Sequence, residues 1–413
     1  MFVASAFKWA GAVWESSAAV PTRIFDIDID EPLTGFDAGP GYGDALFLIR
    51  KNGTPVGKAT VPVIDGRIDD RELSRTIAAA AWYPLLGMQA RDWLGADPSA
   101  LGDYRGLTAT VAVCTRERPD DLRRCLTALT ALPDDGQELI AIDNRPATDA
   151  TAKVVAEFPR VRYAREDRPG LDAARNRALR EAKGDIVAFI DDDAVADAGW
   201  LRGLMRPFTS PLVQCVTGLT MPLELETPAQ EMFETFAGFS HRGFQRRVFQ
   251  SPEHHRLAVG MIGAGANMAL RRSVTDSVGW FDEGLDAGTP SQSGGDHEYF
   301  SRILRAGHRI VYDPRALNWH RHRRTPEELR KAIYGYGVGI YAHWTRTLLV
   351  ERDLGVVRRA WGWFWGDQLP EALRALVGLP TDRPRQLIFA ELAGCLRGPF
   401  AYLSARRHLQ VES

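Results

Sequence analysis

Between Leu107 and Ile190 two hydrophobic rhythms alternate. TATVAV, ELIAI, VRYA and DIVAFI are short runs, mostly apolar at consecutive positions. Between them lie DDLRRCLTAL, ATAKVVAEF and LDAARNRALREA, whose apolar residues return every three or four positions. Strand-length apolar runs, each followed by a helix-period stretch, predict βαβ units and an α/β fold, with a mostly parallel sheet flanked by helices. Right-handed crossovers bring the C-terminal ends of such strands to one edge, where these sheets bind ligands.

The flanks differ. RIFDIDID, ALFLIRK and TPVGKATVPVI, within residues 22–68, read as short strands. Asn52-Gly53 separates the last two and is a strong hairpin signal, because both residues accept positive φ. The helical stretch ELSRTIAAAAWYPLLGMQA follows, and Gly95–Gly106, rich in Gly, Asp, Pro and Ser, reads as a linker. Beyond Ile190 the pattern is less regular until the helix HEYFSRILRAG and the strand HRIVYDP. Thr325-Pro326-Glu327-Glu328 then opens a helix with a hydroxyl cap, a proline in the first turn and acids facing the helix dipole. The expected organisation is a small β-rich N-terminal domain with helix and linker (1–105), an α/β domain (106–330) and a helical C-terminal region (331–413). The glycines of Tyr334-Gly335-Tyr336-Gly337-Val338-Gly339 follow no strand, so they read as close-packing points rather than a phosphate loop.

Composition narrows the class. A chain of 413 residues has room for two or three domains, and 45% apolar residues suffice for a core. Lys plus Arg (51) against Asp plus Glu (53) leaves a net charge of −2, which argues against a nucleic-acid binder. Cys114, Cys125, Cys215 and Cys395 form no CxxC pair, so neither a zinc site nor a disulfide framework is expected, and a reducing, cytoplasmic location is. No run suits a membrane span: Pro207–Leu223 is broken by three prolines, and Leu257–Leu270 is too short. The N-terminal MFVASAFKWAGAVW lacks a basic region before its apolar part and is not read as a leader. Trp361, Trp363, Phe364 and Trp365, with Arg358, Arg359, Arg383, Arg385 and Arg397, fit an interfacial helix making peripheral contact at the inner membrane face. They equally fit a helical subdomain packed on the rest, which Asp367 and Glu371 favour.

The chemistry centres on Asp191-Asp192-Asp193, at the end of an apolar strand. Residues i and i+2 of extended chain share a face, so Asp191 and Asp193 can point together, and two like charges so placed call for a cation. Mg²⁺ suits carboxylates, water and diphosphate oxygens; Mn²⁺ suits the same set with an imidazole. In isolation, a solvated acidic turn explains the run as well. The neighbouring strand ends supply complementary groups. Thr115, Arg116 and Arg118 suit a diphosphate or ribose, and Asp143-Asn144 puts a carboxylate where it can accept a uracil imide N–H. The segment Arg168–Asn176, with Arg175, reads either as part of this site or as an amphipathic helix with a surface arginine; for Asp172 the second reading is preferred.

Taken in order, these residues resemble the inverting family-two glycosyltransferases with the GT-A fold. The resemblance runs from about Thr108 to about Arg324: Thr115, Arg116, Arg118 and Pro119; Asp143-Asn144; Pro169-Gly170-Leu171; Ala174-Arg175-Asn176; and Phe189-Ile190-Asp191-Asp192-Asp193 as the DxD element. It continues through Gly265-Ala266-Asn267-Met268, Gly279-Trp280-Phe281-Asp282-Glu283, Gly294-Gly295-Asp296-His297-Glu298 and Trp319-His320-Arg321-His322-Arg323. The resemblance implies a nucleotide-sugar donor, a UDP-sugar by Asp143, with Mg²⁺ or Mn²⁺ held by Asp191, Asp193 and His320. It implies nucleotide-sugar contacts from Thr115, Arg116, Arg118, Asp143, Asn144, Arg175, Asp191 and Asp192. It implies acceptor contacts from Asn267, Trp280 and Asp282, and Asp296 as general base, with Glu298 as its substitute. Many relatives have Glu-Asp where this chain has Gly295-Asp296. Asp296 also suits a helix N-cap, Trp280 and Phe281 suit a core, and His322 competes with His320. The acceptor class stays open among glycan, lipid, peptide and small natural product. The competing functions are a sugar-phosphate nucleotidyltransferase, disfavoured by Thr-Arg-Glu-Arg-Pro after the first strand, and a non-catalytic nucleotide-sugar-binding scaffold, disfavoured by the intact aspartates.

Overall fold

The computed structural model describes residues 20–95 and 106–412. The N-terminal apolar stretch and most of the predicted linker lie outside the described residues.

The first sheet contains β1 (Thr22–Asp28), β2 (Asp44–Lys51) and β3 (Thr54–Pro62), with α1 (Asp70–Trp93) against it. The β2–β3 hairpin turns at Asn52 (φ 49°) and Gly53 (φ 71°), as their left-handed tolerance predicts. Strand β2 is buried on both faces. Ala45, Phe47 and Ile49 pack with Leu73, Ile77 and Ala81 of α1, whereas Leu46 and Leu48 belong to the core of the main sheet. Period-two alternation thus serves two cores. Polar ties reinforce the junction: Thr22 N–H donates to Leu225 O (2.9 Å), Arg50 to Asp197 (2.6 Å) and Lys58 to Glu234 (2.8 Å).

The main domain contains β4 (Ala109–Thr115), α2 (Pro119–Thr130), β5 (Glu138–Asn144), α3 (Ala150–Ala156), β6 (Val161–Glu166), α4 (Leu171–Glu181) and β7 (Ile186–Asp191). It continues with β8 (Ala194–Ala196), α5 (Trp200–Met205), β9 (Val213–Pro222), α6 (Pro228–Phe236), β10 (Arg247–Phe249), β11 (Asn267–Arg271), α7 (Val274–Val278), α8 (Gly295–Arg305) and β12 (Arg309–His320). The strand order is β10-β12-β9-β11-β7-β4-β5-β6, with β8 added beside β12. Strands β4 to β7 are mutually parallel, as their pattern predicts. Beyond β7 the sheet is mixed: β11 runs antiparallel between β7 and β9, and β12 is parallel to β9. Helices cover both faces, α4 and α8 on one side and α2, α3 and α5 on the other. This is the expected α/β architecture of a central sheet flanked by helices, with an additional N-terminal sheet.

The C-terminal region is helical: α9 (Pro326–Glu351), α10 (Gly355–Trp363), α11 (Leu369–Leu376) and α12 (Arg385–Glu412). Thr325 caps α9 as expected, and with Glu328 it forms a capping box. Helix α9 lies against α12 across a glycine seam. A Cβ at Gly337 would strike the Glu391 carbonyl, one at Gly394 that of Tyr334, and one at Gly398 that of Val338. Close packing, not phosphate binding, explains these glycines. Trp361 and Trp365 remain exposed. Among the described residues no helix is long and apolar enough to cross a membrane. The four cysteines are free thiols.

Candidate active site

The parallel register assembles the rim. Cys114 pairs with Asp191, and Thr115 pairs with Asp143, so the ends of β4, β5 and β7 stand side by side. After Asp193 the chain turns into β8, which pairs with the end of β12, Ala194 opposite His320. Arg321 N–H then donates to Asp193 O at 2.9 Å. One ligand atom from each of Asp191, Asp193 and His320 lies within 4.8 Å of the others. Residues 127 positions apart in sequence meet because β12 returns parallel to β9 and ends at the same edge.

A row of buried side chains stands behind His320. Its Nδ1 is 3.2 Å from His322 Nδ1, and His322 Nε2 is 3.2 Å from Glu234 Oε2. Burial opposes charge on Glu234, but His322 and Lys58 outweigh it and bring its pKa to about 2, so it only accepts. Burial also lowers the His322 pKa. On the other side, His320 Nε2 lies 3.2 Å from the buried Asp193 Oδ1, an imidazole nitrogen and a carboxylate oxygen that could share a cation. The row His320–His322–Glu234–Lys58 is the outer support that metal-binding histidines usually have.

The carboxylates are also crowded. Burial and then the Asp193 charge raise Asp191 to about 6 and Asp192 to about 7. Burial opposes ionisation of Asp193 too, but His320, Arg323 and Arg118 prevail and hold it well below the usual range. A divalent cation would relieve this repulsion.

The predicted nucleotide wall separates into free and engaged groups. Arg116 is exposed at the rim. Arg118 donates to Asp192 (3.1 Å) and Asp193 (3.2 Å), and Thr115 Oγ1 donates to Asp192 (2.7 Å). Asp143 is fully buried; Tyr163 donates to Oδ2 (2.9 Å), while Oδ1 has no partner, the free acceptor that a base imide would need. Asn144 differs from expectation. Its amide donates to Arg168 O and accepts from Gly170 N–H, so both ends hold the loop before α4.

Asp296 lies in the first turn of α8, whose N-cap is Gly294, so the N-cap alternative does not hold. Its Oδ2 accepts from Gly265 N–H and its Oδ1 from His297 N–H, each at 2.7 Å. Burial opposes its charge, but His297, Arg175 and these N–H groups hold its pKa below the usual value. Arg175 and Tyr336 both feel Asp191 and Asp296, which places the base candidate and the metal rim around common neighbours. Arg175 is not a surface residue. It is buried and bridges Asp172 (2.9 Å) and Asp286 (2.6 Å), and Asp172 is equally buried. The missing glutamate at 295 has a steric reason: a Cβ there would collide with the Asp172 carboxylate.

Four further expected site residues, Glu298, Asn267, Trp280 and Asp282, carry structural contacts. Glu298 is buried between Arg302 (2.6 Å) and Arg346 (2.8 Å), which consume its charge. Asn267 is fully buried. It bonds Trp200 Nε1, Leu219 O, Ala316 O and Asn318, and so fills the gap where the register between β9 and β12 is broken. Trp280 stacks on Arg180 (5.4 Å), at the end of α4 about 12 Å along the helix from Asp172. It is 45% exposed, so it is neither core nor at the rim, whereas Phe281 is core, stacked on Tyr299. Asp282 accepts from Arg346 (3.1 Å) and Tyr402 (2.9 Å) and anchors the C-terminal helices.

Pattern reading missed Lys58, Glu234 and Arg323. Lys58 is one polar position in a strand of the other sheet, and nothing in its neighbours signals a contact with α6. Arg323 had a signal, its place directly after His322.

Residues 110–279 match the family model described as Glycosyl transferase family 2. The chain is 29% identical over 233 residues to the pre-mycofactocin glycosyltransferase of Mycobacterium tuberculosis, covering 55% of this chain and 46% of that one. It is 22% identical over 233 residues to glycosyltransferase AglE of Haloferax volcanii, covering 54% and 69%. The chain thus spans about half the length of the mycobacterial relative. Among solved structures it is similar to a mannosyltransferase of Pyrobaculum calidifontis in complex with GDP-Man and Mn²⁺, at 18% identity and a TM-score of 0.44, covering 79% of this chain and 82% of that one.

Proposed function

With residues 110–279 forming a glycosyl transferase family 2 domain, we propose that this protein transfers a sugar from a nucleotide-sugar, a UDP-sugar, to an acceptor nucleophile with inversion. The observation that carries the reading is the cluster of Asp191, Asp193 and His320 at the sheet edge, with His320 Nε2 3.2 Å from Asp193 Oδ1. Asp191, Asp193 and His320 would hold Mg²⁺ or Mn²⁺, and the ion would neutralise charge growing on the leaving diphosphate.

The chain's own groups do the rest. Asp143 accepts the imide N–H of the base through Oδ1. Arg116 meets the diphosphate, and Arg118, which holds Asp192 and Asp193 at the rim, adds positive charge beside it. Asp296 takes the proton of the acceptor hydroxyl as that oxygen bonds to the anomeric carbon and the bond to the diphosphate breaks. One displacement inverts the anomeric centre, and no covalent sugar–enzyme intermediate is needed. Arg175, between Asp172 and Asp286, fixes the floor under Asp296. The reading includes a cytoplasmic location.

The test is nucleotide release from UDP- and GDP-sugars with Mn²⁺ or Mg²⁺ and a pool of acceptors. Metal-dependent UDP release with an acceptor-linked sugar of inverted anomeric configuration is expected. Absence of both nucleotide binding and metal-dependent release overturns the reading; release from GDP-sugars alone overturns its uridine part.

A further inference from the structure

A cavity of about 550 Å³ opens beside Asp296, and the donor site does not use it. Its walls come from α9, α10, the segment 255–260 and the start of α8. His297, whose backbone N–H donates to the Asp296 carboxylate, is in the lining. The apolar lining is Leu257, Ile340, Trp344 and Trp363, the two indoles meeting edge to face at 5.6 Å. Arg358 and Arg359 complete it, both exposed and neither ion-paired with a carboxylate of the described residues; Asp367 is the only acid in the lining.

His343 adds a second observation. It lines this cavity, is 2% exposed, and neither ring nitrogen has a hydrogen-bond partner. A buried unpaired imidazole costs on the order of 1–3 kcal/mol, so such a group usually has a partner that is absent here, a water or a ligand. Burial first, and then the positive surroundings of His297 and Arg346, bring its pKa to about 3. The neutral ring offers one donor and one acceptor, which suits a hydroxyl.

We propose that this cavity is the acceptor subsite and that the acceptor is an amphiphile: a hydroxyl-bearing end at His297 and His343, an apolar body on Trp344 and Trp363, and an anionic group, phosphate or carboxylate, at Arg358 and Arg359. The proposal rests on the glycosyltransferase reading for the word acceptor, but not for the ligand chemistry. The cavity has the size of a small-ligand site and combines apolar walls with a few polar groups from different elements, which can orient a ligand as well as hold it. Arg358 and Arg359 hold successive positions in the middle of α10, whereas His297 and His343 come from α8 and α9.

Calorimetry with n-octyl phosphate, n-octanoate, 1-octanol and inorganic phosphate tests the chemistry directly. Octyl phosphate and octanoate are expected to bind at least ten-fold more tightly than octanol or phosphate alone. R358E/R359E is expected to weaken both amphiphilic anions at least ten-fold while leaving octanol unchanged, and Trp363→Ala to weaken all three octyl compounds. Circular dichroism verifies folding, since these side chains are on the surface or half-buried. Equal binding of octanol and octyl phosphate, equal binding of octyl phosphate to parent and R358E/R359E, or no binding of any octyl compound overturns the proposal. Nucleotide binding and metal-dependent nucleotide release with the acceptor pool, measured on the same parent protein, separate the two claims. If both are absent while octyl phosphate binds, the glycosyltransferase reading fails and the ligand chemistry stands. If they are present while octyl phosphate does not bind, the reverse holds.

Discussion

Lys58 Nζ of the N-terminal sheet lies 2.8 Å from Glu234 Oε1 of α6, and through His322 this contact reaches His320. The N-terminal sheet therefore takes part in shaping the site. Lys58→Met is expected to weaken Mn²⁺ affinity about ten-fold, in the range found for outer partners of metal ligands, with Lys58→Arg recovering part of the loss. Mn²⁺ titration of donor binding checks this; unchanged affinity in Lys58→Met would disconnect the sheet from the site.

Asp193 is the carboxylate on which His320, Arg118 and Arg323 converge. Asp193→Ala should abolish the metal-dependent part of nucleotide binding and leave a weak metal-independent remainder. Nucleotide titrations with and without Mn²⁺ measure both parts. Equal affinity in parent and variant with metal present would refute the assignment.

Asp296 and Glu298 are two residues apart and chemically alike, yet only Asp296 is free of arginine contacts at its carboxylate. Asp296→Asn is expected to bind nucleotide normally and to lose transfer by about 10²–10⁴-fold, the usual contribution of a general base. Glu298→Gln should keep turnover per folded molecule and lower the melting temperature, because it leaves Arg302 and Arg346 less compensated. The Asp296 pKa lies below the usual value, so any acid limb of activity above about pH 4 belongs to other groups. An acid limb near pH 6 that vanishes in Asp296→Asn would contradict this.

Glu234 supplies a pH test of stability. Its folded pKa of about 2 is below its ordinary value of 4.5, so its contribution is complete above about pH 4.5 and is lost as pH falls toward 2. The shift corresponds to about 3 kcal/mol. Glu234→Gln should therefore flatten the fall in melting temperature between pH 5 and pH 3. Melts at pH 3, 5 and 7, compared with the parent, decide the point.

The half of the site that was legible in the sequence is the half written at strand ends. Thr115, Asp143 and Asp191 follow apolar runs, and parallel pairing alone brings them together. What was not legible depends on side chains crossing between elements. Nothing near Asn267 marks it as filling a sheet defect, since that defect lies in β12 about 50 positions later. Glu298 reads like a spare base until Arg346, on another helix, reaches it. Asp172 and Arg175 show the same thing in reverse: a charged pair at i and i+3 looks like a solvated face, yet both are buried, and Asp286 reaches Arg175 from 111 positions away.

The two-sided burial of β2 has a consequence for anyone redrawing the boundaries of this protein. A strand with Phe47 turned toward one core and Leu48 toward another has no detachable side. Shortening the chain to the stretch that matches its relatives would strip an inner wall rather than an appendage. Grafting this sheet onto a cousin would succeed only if the host offered a matching apolar floor together with a Glu234 counterpart to receive the lysine.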